Sequence, residues 1–241
     1  MKSYVEHYVT FDEILLPEPY RVVEIPSWEA VVEPVMNGVL NVYNEQFNQQ
    51  ATALTDEMIA ALQNPNLTTL HELRQFAMEA FQEREREMKF QHHIFPYLLV
   101  FFANTTQTVI NSEESDAYYQ AMMENYREEA EKLGCTLDEF IRDSFQLEPN
   151  QKEELQERIH EYFVFKLIAY ARFGENHGEL DEASYDAFIQ QQVVHQMVDE
   201  IDLRERLPYV VYKDIFPEIL LTEELKDYFK PKISFQIQSQ Q

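Results

Sequence analysis

The chain has 241 residues, and 44 Asp and Glu against 19 Lys and Arg give it a formal net charge of −25, a balance that repels phosphate backbones and argues against direct nucleic-acid binding. None of its four glycines falls in a phosphate-cradling motif, which leaves no basis for a P-loop or a Gly-rich dinucleotide turn. The single cysteine, Cys135, excludes an internal disulfide framework.

The N-terminal stretch "MKSYVEHYVTFDEILLPEPY" lacks an apolar core and does not read as a signal or transit peptide. The longest uncharged block, Ile94 to Ala103, is about half of the roughly 20 residues that a spanning helix needs. The expectation is a cytoplasmic protein without a membrane partner.

In chain order, Tyr4 to Val23 mixes β-formers in near alternation, punctuated by Pro17, Pro19 and Pro26, and predicts one or two short strands. Ser27 caps an expected helix to about Gln50 that carries Trp28, Val31, Val35, Val39, Val42 and Tyr43 near helical spacing. A short helix follows near Asp56 to Leu62. Thr69 and Glu72 then form a capping box opening a helical stretch to about Ala103, which Pro96 should kink or break. Within it the charged "EREREMKF" reads as a solvated face, and "IFPYLLVFFA" as an end buried on every side.

Asn104 to Ser112 reads as a connector and Glu113 to Leu133 as a helix closed by Gly134. A second box, Thr136 with Glu139, opens a helix to about Phe145. A third, Asn150 with Glu153, opens a long one to about Phe173, with Leu155, Ile159, Phe163, Leu167 and Ala171 at four-residue steps. Gly174 and Gly178 bracket its end, and Asp181 caps a helix through about Ile201. Pro208 and Pro217 divide the remainder into short pieces, and the last ten residues are expected to fray. The predicted class is mainly α: an elongated helical domain, 27–241, with long helices and hairpin arms behind an extended or β segment, 1–26.

This order of pieces resembles the C-terminal chaperone domain of trigger factor, in the trigger factor and SurA-like helical class. "LTDEMIAAL" and "TTLHELRQFAMEAFQEREREMKF" resemble that family's entry into its helical domain. "SEESDAYYQAMMENYREEAEKLGCTLDEFIRDS" and "NQKEELQERIHEYFVFKLIAYARFGENHGELDEASYDAFIQQ" resemble its hairpin arms, so the likeness covers roughly Leu54 to Gln192. Phe47 runs almost directly into Leu54, which leaves no room for the family's prolyl-isomerase domain, and the N-terminal ribosome-docking domain is also missing. What the resemblance implies is the client-cradling part alone, without isomerase activity and without ribosome contact.

Catalytic and metal readings find little in the residues. "ERIH", Glu157 to His160, is a single Glu-x-x-His, whereas di-iron bundles use two such motifs plus two further glutamates. His92 and His93 are adjacent, which sets them about 100° apart on a helix, and His71 reads as a first-turn residue. Cys135 follows the helix-ending Gly134 without a histidine or second cysteine close in sequence. No metal, no cofactor and no catalytic residue are assigned.

The candidate client contacts are Tyr118, Tyr119, Met122, Met123 and Tyr126 along one helical stripe, with Phe140, Phe145 and Phe188. Flexible methionines and amphipathic tyrosines suit a surface that accepts varied partners, although such stripes are more often core. The expected function is that of an ATP-independent chaperone, not an enzyme, holding unfolded or nascent polypeptides, basic ones included, between helical arms. A homodimer is left open. A dedicated assembly factor is the first alternative and a helical-bundle metalloenzyme the second.

Overall fold

The computed structural model describes residues 2–148, 150–178 and 180–238. The fold is mainly α, as expected. Its elements are β1 (Tyr4–His7), α1 (Glu18–Arg21), β2 (Val22–Ile25), α2 (Trp28–Phe47), α3 (Asp56–Ala61), α4 (Leu70–Lys89), α5 (Phe95–Thr105), β3 (Gln107–Val109), α6 (Ser112–Leu133), α7 (Leu137–Phe145), α8 (Lys152–Asn176), α9 (Glu182–Gln196), α10 (Glu200–Arg206), α11 (Tyr209–Phe229) and β4 (Ser234–Ile237). Among the described residues no helix is long and apolar enough to cross a membrane.

Contacts divide the chain differently from the 1–26 and 27–241 reading. One compact unit joins Met1–Ile14 to Pro96–Asp227, and the other joins Leu15–Phe95 to Tyr228–Gln241. In the second unit β2 pairs in parallel with β4, Val22 opposite Ser234 and Ile25 opposite Ile237. The C-terminal stretch expected to fray is therefore a strand as far as Ile237, while residues 239–241 lie outside the described ones. Phe235 of β4 fixes this strand through its ring, 5.8 Å from Trp28 of α2 and 6.2 Å from Phe81 of α4.

Helix starts follow the capping chemistry. Ser27, Thr55, Thr69, Thr136 and Asp181 each accept a backbone N–H of the first turn they precede. The box expected at Asn150 and Glu153 does not form. Gln151 precedes α8 instead, and its side-chain Oε1 accepts the N–H of Glu148 at 2.7 Å.

Proline positions are resolved by local adjustment. Ahead of Pro96, Phe90–Ile94 is a π-helical turn in which the N–H of Phe95 reaches the carbonyl of Phe90; the wider turn makes room for a residue that cannot donate. Pro217 lies inside α11, where the expected break does not occur. A proline there frees the carbonyl four residues earlier, and the Tyr170 hydroxyl stands 3.3 Å from that Lys213 carbonyl and 3.0 Å from that of Asp214.

The uncharged block is buried on one side only: Ile94, Leu98, Leu99 and Phe102 are in the core, while Val100 is exposed. The connector expected after it contains β3, which pairs antiparallel with β1 in the first unit. The carboxylate of Glu114, in the first turn of α6, accepts the N–H groups of Lys2 and Ser3 at 2.6 and 2.7 Å, which pulls its pKa down to about 2.

The turn from α6 to α7 is a Schellman arrangement: Gly134 N–H bonds the Glu131 carbonyl, and Cys135 N–H bonds that of Ala130. Gly134 has φ +70°, and an added Cβ would meet no atom within 4 Å. Gly134→Ala should therefore cost only the left-handed conformation, about 1 kcal/mol, read as a small drop in the urea midpoint with an unchanged slope.

Candidate functional site

The aromatic and methionine stripe turns inward. Tyr126 of α6 belongs to a core with Ile141 of α7, Leu147, and Leu155 and Ile159 of α8, against which Tyr118, Tyr119, Met122, Met123, Phe140 and Phe145 pack half-buried. Tyr126 meets Phe140 and Phe145 at ring distances of 5.9 and 5.1 Å. Burial against a neighbouring helix is what a one-sided stripe achieves when its hairpin closes on itself. The stripe thus holds α6, α7 and α8 together, and Tyr118 and Tyr119 also face a cleft.

That cleft, about 720 Å³, lies between α5, α6 and α8 and is largely polar: Asp116, Glu153, Glu157, His160 and Glu161 line it beside the two tyrosines. The Glu-x-x-His pair of the sequence is among them. Among the described residues no group of three or more His, Cys, Asp or Glu is placed to hold a metal ion.

Phe188, the remaining candidate, sits elsewhere in the first unit, on α9. The side chains there build an aromatic cleft of about 810 Å³ between α8, α9 and α11, walled by Phe173, Leu180, Phe188, Tyr212, Phe216 and Ile219, with His177, Ser184, Gln191 and Glu223 as its polar groups. Tyr212 also belongs to a packed core with Tyr185 and Ile189. Tyr212 and Phe216 stack at 4.6 Å, and Phe188 lies 5.2 and 5.5 Å from them. Apolar walls with a few convergent polar groups, at this volume, are the usual make-up of a binding site.

The segment from α9 to α11 also carries apolar side chains in water. Met197, which follows α9, is 94% exposed, and Val194, Ile201 and Val210 are each more than two-thirds exposed. These exposed side chains lie in the sequence region that also forms the cleft, though none of them lines it.

Sequence reasoning found Phe188 but missed Tyr212 and Phe216. The signal was there in "YVVYKDIF", where Tyr209, Tyr212 and Phe216 recur at helical spacing. It was obscured by reading Pro208 and Pro217 as breaks. The expected helix through Ile201 is also two: α9 ends at Gln196, Met197 after it has left-handed φ 53°, and Asp199 caps α10.

Behind the clefts, α8 and α11 share a charged cluster. Lys166 Nζ stands 2.9 Å from Asp214 Oδ2 and 3.6 Å from Glu218 Oε1, and the Tyr170 hydroxyl donates to Asp214 Oδ1 at 3.1 Å. Burial pushes the Glu218 carboxyl up to about 7, with Lys166 opposing and Asp214 adding to the shift. Lys166 also lies over the ring of Tyr118, 5.7 Å from its centroid, and burial together with the Glu218 charge pushes the Tyr118 hydroxyl up. Lys166 and Glu218 are largely withdrawn from water, whereas the Asp214 side chain is mostly exposed. Compared with known proteins, the chain matches no family model, no curated protein and no solved structure.

Proposed function

We propose that this chain is an ATP-independent chaperone-like protein that holds apolar segments of unfolded polypeptides in the cytoplasm. The observation that carries this reading is the open aromatic cleft of Phe188, Tyr212 and Phe216. The layout that resembles the trigger factor chaperone domain supports it further.

Each square ångström of apolar surface removed from water contributes on the order of 25 cal/mol, before association costs are subtracted. Binding is then reversible and needs no nucleotide. Exposed methionine suits such use because its unbranched thioether adapts to different partners. A net charge of −25 keeps a loaded complex soluble and favours basic clients.

The test is a panel of unrelated, chemically denatured enzymes diluted into buffer with and without the protein, aggregation being followed by light scattering. Suppression for several of them is expected, and Phe188→Ala should weaken holding by about tenfold, the scale of one aromatic anchor. Indifference to the whole panel would sink the reading and leave the dedicated-partner alternative.

A further inference from the structure

Three tyrosine rings cluster where Tyr212 meets the cleft, with Tyr185 5.5 Å from Tyr209 and 5.2 Å from Tyr212. Two of their hydroxyls are used within the chain. That of Tyr185 donates to the Leu207 carbonyl at 2.7 Å, and that of Tyr209 to the Leu180 carbonyl at 3.1 Å.

The third is not. Tyr212 is fully buried, at 0% exposure, and its hydroxyl has no hydrogen-bond partner. A buried polar group left unpaired costs on the order of 1–3 kcal/mol. Phenylalanine at this position would stack on Phe188 and Phe216 equally well without that cost, so the hydroxyl contributes nothing to packing.

We propose that the Tyr212 hydroxyl is the polar anchor of this cleft, donating a hydrogen bond to a main-chain carbonyl of an extended, uncharged apolar peptide segment seated against Phe188 and Phe216. This rests on the reading that the cleft holds polypeptide, and it names what the cleft selects. Burial, with Tyr209 and Asp181 adding, pushes the hydroxyl up to about 12, so it keeps its proton at neutral pH and acts as a donor.

The acceptor must be neutral. The Asp181 charge that raises Tyr212 opposes a second negative charge placed at that hydroxyl, and Glu223 lies on the cleft wall, where His177 is, among the described residues, the one group able to carry positive charge. Both acids oppose a carboxylate, which rules against fatty-acid-like ligands. An amide carbonyl offers a strong acceptor without a charge, flanked by the apolar side chains that the aromatic walls require.

The test measures calorimetric affinity of the full chain for an acetylated, amidated peptide with a Leu-Val-Leu-Ile centre and serine flanks, and for decanoate. Wild type should bind the peptide and take decanoate at least about tenfold more weakly. Tyr212→Phe should melt at or above the wild-type temperature while losing about tenfold in peptide affinity, the scale of one hydrogen bond.

A second probe needs no folded variant: replacing the central amide by an ester weakens the carbonyl as an acceptor and should lower affinity for wild type. Equal peptide binding by wild type and Tyr212→Phe, with Phe188→Ala still weakened, overturns the anchor and leaves the polypeptide reading standing. Absence of peptide binding by wild type overturns both. Decanoate bound as tightly as the peptide overturns the assignment of a neutral acceptor.

Discussion

Replacing Phe102 by alanine should lower the free energy of unfolding by about 3–5 kcal/mol, the usual cost of truncating a fully buried phenylalanine. Phe102 is at 0% exposure on α5, with the ring of Phe165 of α8 at 6.5 Å and that of Phe101 at 6.1 Å. Its removal forfeits the transfer energy of the ring and leaves a cavity that helices on both sides cannot close without moving. Total stabilities of about 5–15 kcal/mol leave little margin after such a loss. Val100→Ala, two positions earlier and exposed, should stay within about 0.5 kcal/mol. Urea denaturation of both variants checks this, and a Phe102→Ala cost near that of Val100→Ala would remove α5 from the core.

The contrast between Phe102 and Val100 marks what the sequence made legible. An uncharged run beside a charged one located a helix entering the core, but hydropathy alone reads all ten residues as buried, because Val100 is as apolar as Leu99. Which face packs depends on where α8 lies, and no local pattern states that. Capping chemistry was the most legible feature, since Thr69 with Glu72 and Thr136 with Glu139 satisfy backbone donors within four residues of chain.

Long-range pairing was not legible. β2 and β4 are four residues each and meet from near opposite ends of the chain, so neither carries a signal of its partner. Pro217 reads as a break because the group that supports α11 there, Tyr170, belongs to α8.

The candidate site divides in the same way. An apolar stripe at helical spacing identifies a packing face without naming the partner, and for Tyr118 to Tyr126 the partner is the chain's own α7 and α8. Phe188 has the same kind of spacing but stands at an open cleft. Tyr212 differs from Tyr185 and Tyr209 only in lacking a carbonyl within reach, a distinction that arises in tertiary structure.

Lys166→Met should cost about 2–3 kcal/mol at pH 8, because it leaves the largely buried Glu218 beside Asp214 without a cation. The loss should be smaller at pH 5, by about 2 kcal/mol, for a reason fixed by the direction of the Glu218 shift. Its folded pKa, about 7, lies above the ordinary 4.5, so the fold binds this proton more tightly than the unfolded chain does. The stability linked to that proton is fully present below about pH 4.5 and is lost as pH rises through about 7. Removing Lys166, which holds the pKa down, moves that window upward and deepens the loss above it. The groups that face Glu218 are Lys166 from α8, Asp214 from its own helix and Tyr118 from α6, with Tyr170 of α8 tied to Asp214, so the titration in this range belongs to Glu218. Denaturation of wild type, Lys166→Met and the Lys166→Met/Glu218→Gln pair at pH 5 and pH 8 separates the contributions. The extra loss at pH 8 should vanish in the double variant; a deficit independent of pH in Lys166→Met would show that Lys166 acts through packing alone.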